Sequence, residues 1–197
     1  MVHSAAKLAP RERLAAVNDF FNRWPYRHDA ELYGRSEYWA TPREFMSRSG
    51  DCEDYAIAKY FALRTLGFGR DALRIVVLKD RIRGIGHAVL AVYLADDILI
   101  LDNLSSLIVS HSRYQHYVPQ VSMNETTRWA HFGGNRERER PSPFSSPWSA
   151  SFWIWPMTTS RKRRRCLFPM ARQCLDEATL TDLGDQWAAS RNVTVDG

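Results

Sequence analysis

Ser49-Gly50-Asp51-Cys52-Glu53-Asp54-Tyr55-Ala56 sets one cysteine among acidic residues at the start of a helical stripe. Ile57, Tyr60, Phe61 and Leu66 continue that stripe, and Gly67-Phe68-Gly69 ends it. Asp51 suits the N-cap, Asp54 is its capping-box partner three positions on, and Gly67 suits the C-cap. Cys52 then sits in the first turn, where unpaired amides and the helix dipole favour a thiolate. Most lone cysteines are simply buried in a core. A core cysteine, however, has no need of three adjacent carboxylates.

Upstream, Thr41-Pro42-Arg43-Glu44 predicts a capped short helix carrying Phe45 and Met46 and ending by Gly50. Residues 25–40 are irregular and rich in aromatics: Tyr26, Tyr33, Tyr38 and Trp39. Residues 10–24 predict the first helix, with Pro10 in its first turn and Leu14, Val17, Phe21 and Trp24 on one apolar face.

Downstream the period becomes extended. Leu73-Arg74-Ile75-Val76-Val77-Leu78 predicts one strand, residues 79–86 a basic loop, residues 87–94 a second strand and residues 98–102 a third. Segments 107–109 and 117–118 are candidates for two more. A two-residue loop at Ala95-Asp96 would set Leu94 opposite Asp97, Val89 opposite Asp102 and His87 opposite Leu104. His87 and Asp102 are then diagonal neighbours on one face, roughly 7–8 Å apart at the backbone. A slip of one residue would separate them onto opposite faces.

The fold class expected is α+β, with N-terminal helices packed on an antiparallel sheet. From about His131 the pattern fades. Residues 133–147 read as an Arg/Ser/Pro/Gly-rich linker, and 171–188 as one helix or two. The expected division is therefore a domain over 10–130 and a poorly ordered extension over 131–197.

The 197 residues carry 45% hydrophobic and 25% charged side chains, as an ordinary globular protein does. Net charge is +5, with much of the excess in Arg161-Lys162-Arg163-Arg164-Arg165. That run reads as a solvated tail, because no nucleic-acid motif accompanies it; no nucleic-acid partner is expected. Cys52, Cys166 and Cys174 are odd in number and form no CxxC, which argues against a disulfide framework or a structural zinc, although a Cys166–Cys174 bridge is compatible with the spacing. Residues 1–6 contain no secretory signal, so a genuine start at Met1 would imply the cytoplasm.

Cys52, His87 and Asp102 occur in that order, on a helix start, a strand start and a strand end. A thiol nucleophile needs a base, a base needs an orienting carboxylate, and histidine titrates near neutrality. The segments Val17-Asn18, Tyr38-Trp39-Ala40-Thr41-Pro42, Gly50 through Ala56, Gly86-His87-Ala88-Val89-Leu90 and Leu101-Asp102-Asn103-Leu104 resemble the bacterial transglutaminase-like cysteine proteinases. The resemblance runs from about Val17 to Trp129 and includes Tyr117-Val118-Pro119. It implies a papain-like, transglutaminase-like core with Cys52 as nucleophile, His87 as base and Asp102 as orienter. The family includes periplasmic proteases that clip large adhesins from the cell surface in biofilms. The resemblance thus implies a protein or peptide substrate such as a surface adhesin, a membrane regulatory protein as a further partner, and a periplasmic location. In those proteases the acids beside the cysteine bind calcium; here Asp51, Glu53 and Asp54 hold those places.

The residues themselves support Ca²⁺. Three carboxylates around Cys52 disfavour its thiolate, and a hard dication held by carboxylate oxygens reverses that. The alternative is a helix start merely decorated with acids, which its dipole favours anyway. The expected chemistry is peptide hydrolysis through an acyl-enzyme. Transglutaminase or amidase acyl transfer shares that intermediate, and a non-catalytic, calcium-responsive binding module of the same fold is the alternative of another class.

Overall fold

The computed structural model describes residues 7–132 and the backbone of a further strand over 137–141. Helix α1 (Pro10–Phe21) starts at Pro10 and turns Leu14, Val17 and Phe21 inward. It is shorter than the 10–24 expected. Pro25 disfavours a helical Trp24, and Asn22 caps α1, its side chain reaching away to the segment 102–105. Trp24 still packs against Phe20, Phe21 and Phe45.

After the one-turn helix α2 (Asp29–Tyr33), helix α3 (Pro42–Arg48) begins with the capping box its sequence announces. Thr41 Oγ1 accepts the Glu44 N–H at 3.2 Å, and Glu44 Oε2 accepts the Thr41 N–H at 2.9 Å. Such a cap is worth about 1 kcal/mol. Helix α4 (Cys52–Thr65) ends in a Schellman turn. The Phe68 N–H bonds the Leu63 carbonyl at 3.0 Å and the Gly67 N–H the Arg64 carbonyl at 3.1 Å. Gly67 takes φ +91°, a conformation open to glycine at little cost.

The strands are β1 (Leu73–Asp80), β2 (Ile85–Tyr93), β3 (Ile98–Leu101), β4 (Val109–Ser110), β5 (Tyr117–Met123), β6 (Thr127–His131) and β7 (Glu137–Pro141). They form one antiparallel sheet in the order β4-β3-β2-β1-β5-β6-β7. The loop expected over 79–86 shrinks to a turn, because Asp80 Oδ1 accepts the N–H groups of Ile82 and Arg83 and so closes it. Part of the stretch expected to be a linker is strand β7, paired along the edge of β6 and satisfying its backbone groups. The one or two helices expected over 171–188, the late basic run, Cys166 and Cys174 lie outside the described residues.

The sheet alternates as a two-faced sheet must. Ile75, Leu90, Val92 and Leu101 meet Leu14, Val17, Phe20, Phe45, Ile57, Tyr60 and Phe61 from the helices. Val76, Leu78, Val89, Ala91 and Ile100 form a smaller cluster with Tyr114 and Tyr117. Helix α4 lies across β2 and β1, so its first turn ends up beside the start of β2. Among the described residues no helix is long and apolar enough to cross a membrane.

Candidate active site

The start of α4 is set by a close approach of chain segments. Ser49 takes φ +68°, and Gly50 follows, its carbonyl accepting the Arg27 N–H at 3.0 Å. A Cβ on Gly50 would lie 2.1 Å from Asp54 Oδ2, so only glycine passes there. Asp54 Oδ2 accepts the Asp51 N–H at 3.2 Å, and Oδ1 accepts the Ala40 N–H at 2.6 Å. The capping partner expected at Asp54 therefore ties the helix start to the chain before α3.

Cys52 is partly buried and in no disulfide. Its thiol donates to Glu53 Oε2 at 3.2 Å, and the backbone N–H of Ala88, on the peptide that joins it to His87, faces the sulfur. Burial and then the Glu53 carboxylate push the thiol far above its ordinary pKa, against which the Ala88 amide acts weakly. The helix dipole does not carry Cys52 to a thiolate in this arrangement; desolvation and like charge win.

His87 Nε2 lies 3.0 Å from Asp102 Oδ1, with both side chains buried. Leu90 pairs with Leu101 and Tyr93 with Ile98, and the Leu94 N–H meets the Asp97 carbonyl at 2.8 Å. This is the register in which His87 and Asp102 become diagonal neighbours. Strand β3 stops at Leu101, one residue early, because Asp102 turns its carboxylate onto the Leu104 N–H at 3.0 Å. Tyr117 donates its hydroxyl to the other oxygen, Oδ2, at 2.8 Å. Burial alone would raise the Asp102 pKa. The hydrogen bond and charge of His87, with the Leu104 amide and Tyr117 hydroxyl, outweigh it and hold Asp102 below the usual carboxylate range. An ionised carboxylate only accepts, so Nε2 is the nitrogen that donates to Asp102, and Nδ1 is the one left to exchange a proton elsewhere. Tyr117 was visible in the sequence only as the start of a candidate strand and as part of a resembling segment; its contact with Asp102 crosses from β5 to the end of β3.

The acids divide into two groups that share Asp51. Ligand atoms of Asp51, Cys52 and Glu53 lie within 4.8 Å of one another, and so do those of Asp29, Asp51 and Asp54. Asp29, from α2, is a member that sequence reasoning missed, more than twenty residues from the cysteine. It is 2% exposed, accepts the Tyr38 N–H at Oδ2, and leaves Oδ1 buried without a partner. Asp51 Oδ1 is likewise buried and unpartnered. Burial, followed by the charge of Asp51, lifts Asp29 to about 6. Burial, followed by Glu53, lifts Asp51 to about 8. Burial lifts Asp54 to about 8, the charges of Asp51 and Asp29 adding to it. Hard oxygen donors, orphaned buried oxygens and no salt bridge to these acids among the described residues suit an oxygen-seeking dication.

The sequence profile of the bacterial transglutaminase-like cysteine proteinases matches residues 3–137. Among solved structures, LapG of Legionella pneumophila is 37% identical with a TM-score of 0.60, covering 66% of this chain and 71% of that one. The calcium-bound form of that protein gives 37% identity and a TM-score of 0.60 over 66% and 73% of the two chains. The EGTA-treated form gives 35% identity and a TM-score of 0.61 over 69% and 75%. No curated protein sequence matches the chain.

Proposed function

Because the chain belongs to the bacterial transglutaminase-like cysteine proteinase family, and so is a cysteine protease acting on protein, we propose that Cys52, His87 and Asp102 are its catalytic triad. The observation that carries the reading is the buried His87–Asp102 hydrogen bond, at the strand start against which Cys52 lies. His87 Nδ1 takes the thiol proton. Cys52 Sγ attacks the peptide carbonyl, and the amine leaves with the proton from His87. Water, deprotonated by the same nitrogen, then hydrolyses the thioester. The Cys52 backbone N–H, unpaired at the helix start, supports the oxyanion. Asp102 holds Nε2–H and keeps the base in one tautomer.

Calcium fits the acids. Asp51 with Asp54 and Asp29 on one side, and Glu53 beside the thiol, would hold it. Bound there, the ion supplies positive charge that offsets the carboxylates now holding the thiol protonated. A large surface adhesin as substrate and a membrane regulatory protein as partner follow from the family resemblance and extend the proposal.

The test is mapping of new N-termini in a protein digest with calcium and with a chelator. Cleavage by the wild type, and none by Cys52→Ala, supports hydrolysis. Incorporation of an added primary amine without new N-termini would replace it with acyl transfer. Calorimetric calcium binding, weakened about tenfold in Asp29→Asn, supports the ligand set. Undiminished affinity in that variant removes Asp29 from it.

A further inference from the structure

Lys59 takes no part in the chemistry above, yet it is 1% exposed in the middle of α4. Burying an ammonium costs stability unless something is gained elsewhere. Its hydrogen bond is to Asn18 Oδ1, 2.8 Å away on α1. An ammonium only donates, so it forces the Asn18 amide into one orientation, with Nδ2 turned outward. That Nδ2 donates to the Ser105 carbonyl at 2.9 Å. Asn22, at the end of α1, donates to the same carbonyl at 3.0 Å and to the Asp102 carbonyl at 2.8 Å. Both ends of the turn after β3 are thus held by their carbonyls. Inside it, the Leu104 N–H bonds Asp102 Oδ1, the oxygen that faces His87.

Lys59 stands seven residues after Cys52, two helical turns along and on the same side of α4. One helix therefore bears the thiol and, through Asn18, the contact that sets the Asp102 turn. We propose that Lys59 is a positioning residue, fixing the Asp102–Ser105 turn through Asn18 and so holding the Asp102–His87 pair in place relative to Cys52. This rests on the triad reading for its effect on reactivity, but not for its effect on the turn. With an apolar side chain at position 59, the Asn18 amide is free to flip, and its buried oxygen loses its donor. The charges of Asp102 and Asp19 face the ammonium and favour it, against the burial that brings it down to about 7.

The test uses the full chain with Lys59→Met, Asn18→Leu and the double variant. Three quantities are read with calcium present: the thermal midpoint, hydrogen exchange at the Leu104 amide, and iodoacetamide alkylation at Cys52 against pH, located by mass spectrometry. Lys59→Met removes a buried ammonium but also leaves the buried Asn18 oxygen without a donor, so the midpoint should move by only a few degrees and serves to show that the variant is folded. Leu104 exchange should quicken about tenfold, and Cys52 alkylation near neutral pH should slow several-fold with its profile moved along the pH axis. Asn18→Leu should quicken Leu104 exchange and slow Cys52 alkylation in the same way but lower the midpoint, since it leaves the buried ammonium without its acceptor. The double variant should be no worse than either in exchange and alkylation, because both break one chain of contacts. Unchanged exchange in a folded Lys59→Met protein overturns the proposal. If Lys59→Met does not fold, Asn18→Leu carries the same measurements; if neither folds, Lys59 serves the core and the proposal is wrong. Should wild-type Cys52 titrate as an isolated thiol, the triad reading fails, while Leu104 exchange still decides the role of Lys59.

Discussion

Asp102 and the acids at the start of α4 are the same chemical group under opposite treatment. Asp102 is surrounded by donors: His87 Nε2, the Leu104 amide and the Tyr117 hydroxyl. It stays ionised although buried. Asp51 and Asp54 are held with other carboxylates for neighbours, and both are driven to about 8. Burial opposes charge at both places, so burial does not distinguish them. What faces each carboxylate does: His87 with two further donors at Asp102, other carboxylates at Asp51 and Asp54. The first arrangement is finished as it stands and suits an orienting carboxylate. The second is finished only by protons or by a cation.

The sharpest way to break the comparison is Asp102→Asn. The amide can accept at one atom only, and the tautomer of His87 is no longer imposed. Peptide hydrolysis should fall by about a hundredfold or more with the fold intact; a loss under tenfold would detach Asp102 from the chemistry. Next in size is Glu53→Gln. This removes the charge that ranks after burial in raising the Cys52 thiol. In chelator, Cys52 alkylation near neutral pH should rise about tenfold, and the further gain on adding calcium should shrink. An unchanged rate would show that burial alone sets the thiol.

Stability against pH probes the second arrangement as a whole. Folded Asp51 and Asp54 sit near 8 against an ordinary 3.8. The folded state therefore binds more protons between those values. Their contribution is fully present below about pH 4 and is lost as pH rises through 8. In chelator the thermal midpoint should fall by about ten degrees or more from about pH 5 to 7, and calcium should flatten the slope. A midpoint rising over that interval without calcium contradicts the raised values. The smallest effect expected is that of Tyr117→Phe, which keeps the ring and takes one of the three donors from Asp102. Turnover should drop a few-fold with KM unchanged; wild-type turnover would make the hydroxyl contact incidental.

Much of this was readable along the chain, because it depended on near neighbours. The Thr41–Glu44 cap, the Asp51–Asp54 pairing and the Gly67 stop are set by residues within a turn of each other. The His87–Asp102 pairing was readable as one allowed register, that of a two-residue turn at Ala95-Asp96, and the structure has that register. The edges were misread where a side chain diverted the backbone: Asp102 ended β3 early by bonding the Leu104 N–H, and Asn22 turned from α1 to the Asp102–Ser105 turn.

By itself, then, the sequence determined the helix that opens on Cys52 and the family to which the chain belongs, and it allowed, without requiring, the hairpin register that pairs His87 with Asp102. Hydrophobic period, caps and turn length are local, and a linear pattern carries them. Only the tertiary structure decided that Asp29 joins Asp51 and Asp54, that Glu53 also accepts the thiol, that Tyr117 bonds Asp102, and that Lys59 reaches Asn18. Each of these is a meeting of polar groups brought from separate elements into one desolvated place. The charge state of such groups depends on which donors arrive with them, and packing decides that.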